Sequence, residues 1–124
     1  MKWIVIAMLY SPLVYANTFP IRVLRVIDGD TLEIEADLSF GLYFVKSLRV
    51  AHVDTPEMHG PKKEAAQKAK VFAREFCLSG PCEIRNPTVD KYGRILSDVW
   101  CSGKSLSEAL LKAGLGIPYE GGKK

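Results

Sequence analysis

Ile21-Arg22-Val23-Leu24-Arg25-Val26-Ile27-Asp28-Gly29-Asp30-Thr31-Leu32-Glu33-Ile34-Glu35-Ala36 holds two strand signals on either side of one turn signal. Residues 21–27 are rich in β-branched side chains, which suit a pleated, half-buried surface. Asp28-Gly29-Asp30 is a turn. From Thr31 the pattern alternates, with Leu32, Ile34 and Ala36 on one face and Glu33 and Glu35 on the other. That is a strand with one face in a core.

Further along, residues 37–41 read as a loop and Tyr43–Val53 as a third strand, with Leu48 and Val50 on one face and Arg49 and Ala51 on the other. An arginine on a strand next to an acidic turn is placed to project into a cleft. Pro56 and Pro61 interrupt the pattern, and a helix is predicted to start near Pro61, since proline suits a first helical turn. Ala65, Ala69, Phe72, Ala73 and Phe76 mark its apolar side. Lys62, Lys63, Lys68, Lys70 and Arg74 read as its solvated face. After Gly80-Pro81 come a short strand over 82–86, a turn at Asp90–Gly93 and a strand over 95–100. Ser105-Leu106-Ser107-Glu108 is a capping box opening a second helix, and Gly114 is its stop. About five strands and two helices make an α+β domain on a small closed sheet.

The 124 residues, 48% of them hydrophobic, are enough for one domain with a modest core. A net charge of +3 and a pI near 8.8 fit an anionic partner without naming one. Met1–Ala16 has the layout of a secretory signal peptide: a charged start, an apolar Trp3–Val14 and a small residue at the end. The apolar stretch is short for a bilayer span, which takes about 20 residues. Cleavage after Ala16 would give a secreted or periplasmic protein with no membrane association. Export permits disulfides. Cys77 with Cys82, Cys82 with Cys101, or three free thiols all fit the sequence. No Cys–His spacing resembles a zinc site.

Three turns carry chemistry: Asp28-Gly29-Asp30-Thr31, Asp54-Thr55-Pro56-Glu57 and Asp90-Lys91-Tyr92-Gly93-Arg94. Each alone is an ordinary polar turn. Together they supply oxygen ligands for a hard cation, a carboxylate that can act as a base, and arginine forks for a phosphate. That inventory suits phosphodiester hydrolysis.

The same stretches, in this order and separation, resemble the staphylococcal nuclease (thermonuclease) family. They are Val26-Ile27-Asp28-Gly29-Asp30-Thr31, Arg49, Val53-Asp54-Thr55-Pro56-Glu57, Asp90–Arg94, and Glu108-Ala109-Leu110 through Gly114-Leu115. The resemblance implies an OB-fold, a five-stranded β-barrel with packed helices, over residues 20–120. It implies a calcium-dependent nuclease that acts on DNA and RNA and leaves 3′-phosphate ends. By the same resemblance Asp30, Asp54 and the Thr55 carbonyl would bind calcium, with Asp28 standing behind them. Glu57 would be the general base, and Arg49 and Arg94 would grip the scissile phosphate. Lys91 and Tyr92 would touch a neighbouring phosphate, and Tyr119 would stack on a base. A monomer with no stable protein partner is expected.

The sequence departs from that family in places. Ala36–Ser47 is longer by about five residues, where insertion between strands is cheap. The loop after Glu57 is shorter. His52 stands at a usually aliphatic position and reads as a partly buried structural histidine. The family's final helix is missing after Tyr119. The competing reading is a non-catalytic OB-fold that binds single-stranded nucleic acid. It leaves Asp30, Asp54, Glu57, Arg49 and Arg94 occurring together without a purpose.

Overall fold

The computed structural model describes residues 17–121. The leader assigned to Met1–Ala16 lies outside them. Three long strands form an antiparallel meander: β1 (Thr18–Asp28), β2 (Thr31–Asp37) and β3 (Tyr43–Val50). Val26 lies opposite Leu32, and Leu32 opposite Leu48, so one inward row crosses all three strands. The register shifts twice along β1, between Val23 and Arg25 and between Val26 and Asp28. Such irregularities bend a strand and tighten its twist.

The remaining elements are β4 (His52–Asp54), α1 (Lys63–Cys77), β5 (Cys82–Arg85), β6 (Thr88–Val89), β7 (Ile95–Ser97), β8 (Trp100–Cys101), β9 (Lys104–Ser105), α2 (Leu106–Lys112) and β10 (Ile117–Tyr119). The main sheet runs β6-β7-β3-β2-β1-β5-β8-β9, with β10 and β4 paired separately. β7 joins β3 in parallel. The sheet curls into an OB-type half-barrel, and the two helices pack on it. Its core is Leu32, Ile34, Leu48, Val50, Ile84 and Val99, closed by Leu106 and Leu110 of α2. Truncating any of the larger ones to alanine costs about 2–5 kcal/mol. None of the helices among the described residues is long and apolar enough to cross a membrane.

The structure refines several expectations. The third strand breaks at His52, whose φ of 74° turns the chain and separates β3 from β4. His52 is exposed rather than partly buried, and its Nδ1 sits 2.9 Å from Glu120. α1 starts at Lys63, two residues after Pro61, and buries Ala66 where Ala65 was predicted; Ala69 and Ala73 are buried as predicted. Half of the capping box forms, with the Glu108 N–H donating to Ser105 Oγ at 3.1 Å. Asp98 completes it by accepting the Ser107 N–H at 3.0 Å. Gly114, at φ 72°, ends α2, and the Leu115 N–H donates to the Leu110 carbonyl. Of the open cysteine pairings, Cys82–Cys101 is the one that forms, joining β5 to β8 across the ladder. Cys77 is left as a thiol, and burial pushes its pKa up to about 11.

Candidate active site

The β1–β2 turn, the end of β3, the segment after β4, the β6–β7 turn and β10 meet at one end of the half-barrel. They enclose a cleft of about 490 Å³ lined by Asp28, Asp30, Thr31, Arg49, Asp54, Glu57, Tyr92, Arg94 and Tyr119. At its floor lies Asp30, only 4% exposed. Its Oδ2 accepts the Thr55 N–H at 2.8 Å, and its Oδ1 accepts the Thr31 hydroxyl at 2.9 Å. Arg49 stands between the two carboxylates, with Nη1 3.4 Å from Asp30 and Nη2 3.3 Å from Asp54. The Arg49 Nη1 also donates to the Val50 and Val53 carbonyls, each at 2.8 Å. The guanidinium is therefore built into the wall, and Tyr119 covers it with its ring centroid 5.4 Å away.

Burial raises the Asp30 pKa above the usual carboxylate value, and the Asp54 charge adds to the rise. Hydrogen bonds from Thr55 and Thr31 and the Arg49 charge offset only part of it.

Two glycines permit this convergence. A Cβ on Gly29 would sit 2.8 Å from the Ala69 Cβ and 3.0 Å from Thr55 Oγ1, so only glycine lets the acidic turn lie between α1 and the Asp54-Thr55 segment. A Cβ on Gly116 would sit 2.6 Å from Val53 Cγ2, so the chain leaving α2 is likewise pressed against β4. Asp28 has a second task besides facing the cleft. Its Oδ1 accepts the Met58 N–H at 2.8 Å, which pins the loop that carries Glu57. Glu57 is exposed at the cleft mouth, and its carbonyl accepts the Gly60 N–H at 2.9 Å.

Arg94 enters from the β6–β7 turn. Its Nε donates to Asp90 Oδ2 at 2.7 Å, and its guanidinium lies 5.2 Å from the Tyr92 ring centroid. Burial works to raise the Asp90 pKa, but hydrogen bonds from Arg94 and Tyr92 and the Arg94 charge outweigh it and hold the carboxyl low. Held low in this way, the Asp90 carboxylate anchors the arginine at neutral pH.

The cleft gathers seven of the nine residues proposed from sequence: Asp30, Asp54, Glu57, Arg49, Arg94, Tyr92 and Tyr119. Thr55 lies just behind the wall, buried, and tied to Asp30 through its N–H. Lys91 stays on the exposed turn, 5.3 Å from the Tyr92 ring. Sequence reasoning missed the Met58 N–H, Gly116 and the Asp90 anchor. The first two depend on contacts 30 or more positions apart in the chain. Asp90 was visible four residues before Arg94, the spacing at which their ion pair forms.

Four carboxylates in this cleft, Asp28, Asp30, Asp54 and Glu57, face two guanidinium groups, leaving two negative charges in excess when all are ionised. A phosphate would be repelled from such a cleft. A divalent cation would cancel the excess, and the donors offered are oxygens of the kind that suits a hard cation. The residues therefore fit a metal site built on Asp30 and Asp54.

A family profile described as staphylococcal nuclease homologue matches residues 47–124. The chain is 33% identical over 97 residues to the SPbeta prophage-derived endonuclease YokF of Bacillus subtilis (strain 168), covering 73% of this chain and 31% of that protein. It is 31% identical over 105 residues to the thermonuclease of Staphylococcus hyicus, covering 81% and 59%. It is 35% identical over 99 residues to endonuclease YncB of Bacillus subtilis (strain 168), covering 73% and 44%. The chain thus spans less than two thirds of the length of each of these relatives.

Proposed function

The chain belongs to the staphylococcal nuclease family, and from that premise we propose that it is a calcium-dependent nuclease that hydrolyses DNA and RNA and leaves 3′-phosphate ends. The observation that carries this reading is the cleft itself. It sets an excess of carboxylates beside Arg49 and Arg94, with the exposed Glu57 at its mouth. Names given to relatives, two endonucleases and a thermonuclease, point the same way.

Asp30 and Asp54, with the Thr55 carbonyl, would hold calcium, and solvent would complete its shell. When bound, the ion supplies positive charge that polarises the phosphoryl oxygen and the attacking water. Glu57, held by the loop that Asp28 pins, orients that water and takes its proton. The new bond joins the water oxygen to phosphorus. The bond from phosphorus to the 5′ oxygen breaks, and that oxygen takes a proton from solvent and leaves as a hydroxyl. Arg49 and Arg94 donate to phosphate oxygens as charge builds on them, and guanidinium forks suit that geometry better than ammonium groups. Losing one such donor typically costs about 3 kcal/mol of barrier, or two to three powers of ten in rate. Lys91 and Tyr92 reach a neighbouring phosphate, and Tyr119 offers its ring to a base beside the scissile phosphate. Action outside the cytoplasm, where calcium is more available, fits the leader read from residues 1–16.

The test is incubation of residues 17–124 with labelled single-stranded DNA and RNA, in calcium and in chelator. Degradation in calcium alone supports the proposal. A strand that is retarded but intact in calcium overturns it in favour of a binding module.

A further inference from the structure

The cleft does not end at Asp54. That residue also lines a smaller hollow of about 260 Å³, bordered by Thr55, Pro56, Lys62 and the stretch after α2. Past Pro56, Lys62, Gly114 and Leu115, which line both, lies a groove of about 860 Å³. Its walls carry Lys62, Lys63 and Lys68. Glu64 is the one carboxylate lining it.

All three lysines are exposed, and none makes an ion pair among the described residues. Glu64 stands four residues before Lys68, the favoured spacing for a helical ion pair, yet no such pair forms. A solvated helix face commonly interleaves its charges with partners. Here the cations are left without them, and the groove has two positive charges in excess, opposite in sign to the cleft it adjoins.

We infer that this groove is a second binding track, which takes the backbone phosphates of a nucleic-acid strand leaving the cleft past Pro56. The inference rests on the nuclease reading for the identity of the strand. The chemistry recognised is a chain of phosphodiesters, because three point charges along an open groove match a repeating anion and read no base. Lys62, Lys63 and Lys68 would therefore set affinity for long strands over short ones.

The salt dependence of binding tests this directly. Each single-strand phosphate neutralised contributes about 0.7 to the slope of log affinity against log salt. The triple variant Lys62→Gln, Lys63→Gln, Lys68→Gln should lose about 2 from that slope. Between 50 and 200 mM salt the parent should then lose roughly 20-fold more affinity for a 20-nucleotide single strand than the variant does. Fluorescence anisotropy in chelator reads this with the strand intact. A control variant with Lys46, Lys104 and Lys112 changed to glutamine removes equal charge elsewhere and should keep the parental slope. In calcium, the variant should also lose the parent's preference in kcat/KM for the 20-mer over a nitrophenyl thymidine phosphodiester. Equal slopes for parent and triple variant, or an equal drop in the control, would overturn the track while leaving cleavage in calcium untouched. A parent that cuts neither substrate in calcium would instead sink the nuclease reading, and the anisotropy slopes would still decide the groove.

Discussion

Replacing Asp30 with asparagine separates what the cleft costs the fold from what it offers a cation. Burial, helped by the Asp54 charge, holds the Asp30 carboxyl above its ordinary pKa. The folded chain therefore binds that proton more tightly than the unfolded chain does. Its contribution is most favourable below the unfolded pKa and is lost as pH rises through the folded one. Each tenfold difference in proton affinity is worth about 1.4 kcal/mol. Asparagine has the same shape. Its carbonyl can keep the Thr55 N–H and the Arg49 contact, and its amide can donate to the Thr31 hydroxyl. In chelator at pH 7 the variant is expected to be more stable than the parent, and the gain should fade as the pH is lowered toward 4. Calcium should reverse the order. At a calcium concentration one hundred times Kd the parent gains about 2.7 kcal/mol. For a domain of this size that is roughly 10–20 °C in Tm. The variant should gain almost nothing. Urea and thermal melts at pH 7 and pH 4, with calcium and with chelator, supply every comparison. A variant that is destabilised in chelator, or that calcium stabilises as much as the parent, would refute this account of Asp30.

The other consequences are structural and kinetic. Arg49→Ala should cost about 3–5 kcal/mol of stability as well as activity, because it strands two carboxylates and two carbonyls at the cleft wall, and denaturant melts would read it. Asp28→Ala should release the Met58 N–H and let Glu57 drift, lowering kcat by about ten- to a hundredfold. The calcium-induced rise in Tm should largely survive that change, which steady-state kinetics and melts together would show. Gly29→Ala should destabilise the fold by about 1–3 kcal/mol and weaken calcium binding, since the turn must back away from Ala69 and Thr55.

Much of this was legible in the sequence because the signals are local. The alternation from Leu32 to Ala36 and the Asp-Gly-Asp turn specify the hairpin, and Ser105 and Gly114 bracket the second helix. The site residues stood out as residue types in turns, and their convergence follows from the sheet order. Other features depended on three-dimensional packing. Ala65 and Ala66 are neighbours of equal hydrophobicity, so only the docking angle of α1 decides which is buried. His52 is exposed because the turn of the chain at its positive φ points it toward Glu120, a contact 68 positions away. The lysines of α1 look the same in sequence whether they face bulk water or a groove. The disulfide was undecidable for a similar reason. The three sulfurs lie within 4.8 Å of one another, and ladder register selects the pair.

Glu57→Gln offers the most direct test that this cleft performs the hydrolysis. The side chain is exposed and is none of the proposed calcium ligands, so the fold and the calcium-induced rise in Tm should largely survive. Single-turnover cleavage of a labelled single strand in calcium, parent against variant, is the measurement. A rate lower by about two powers of ten or more is the prediction, since removing a positioned base typically costs 10²–10⁴. A variant that cuts as fast as the parent would contradict the placement of the chemistry in this cleft.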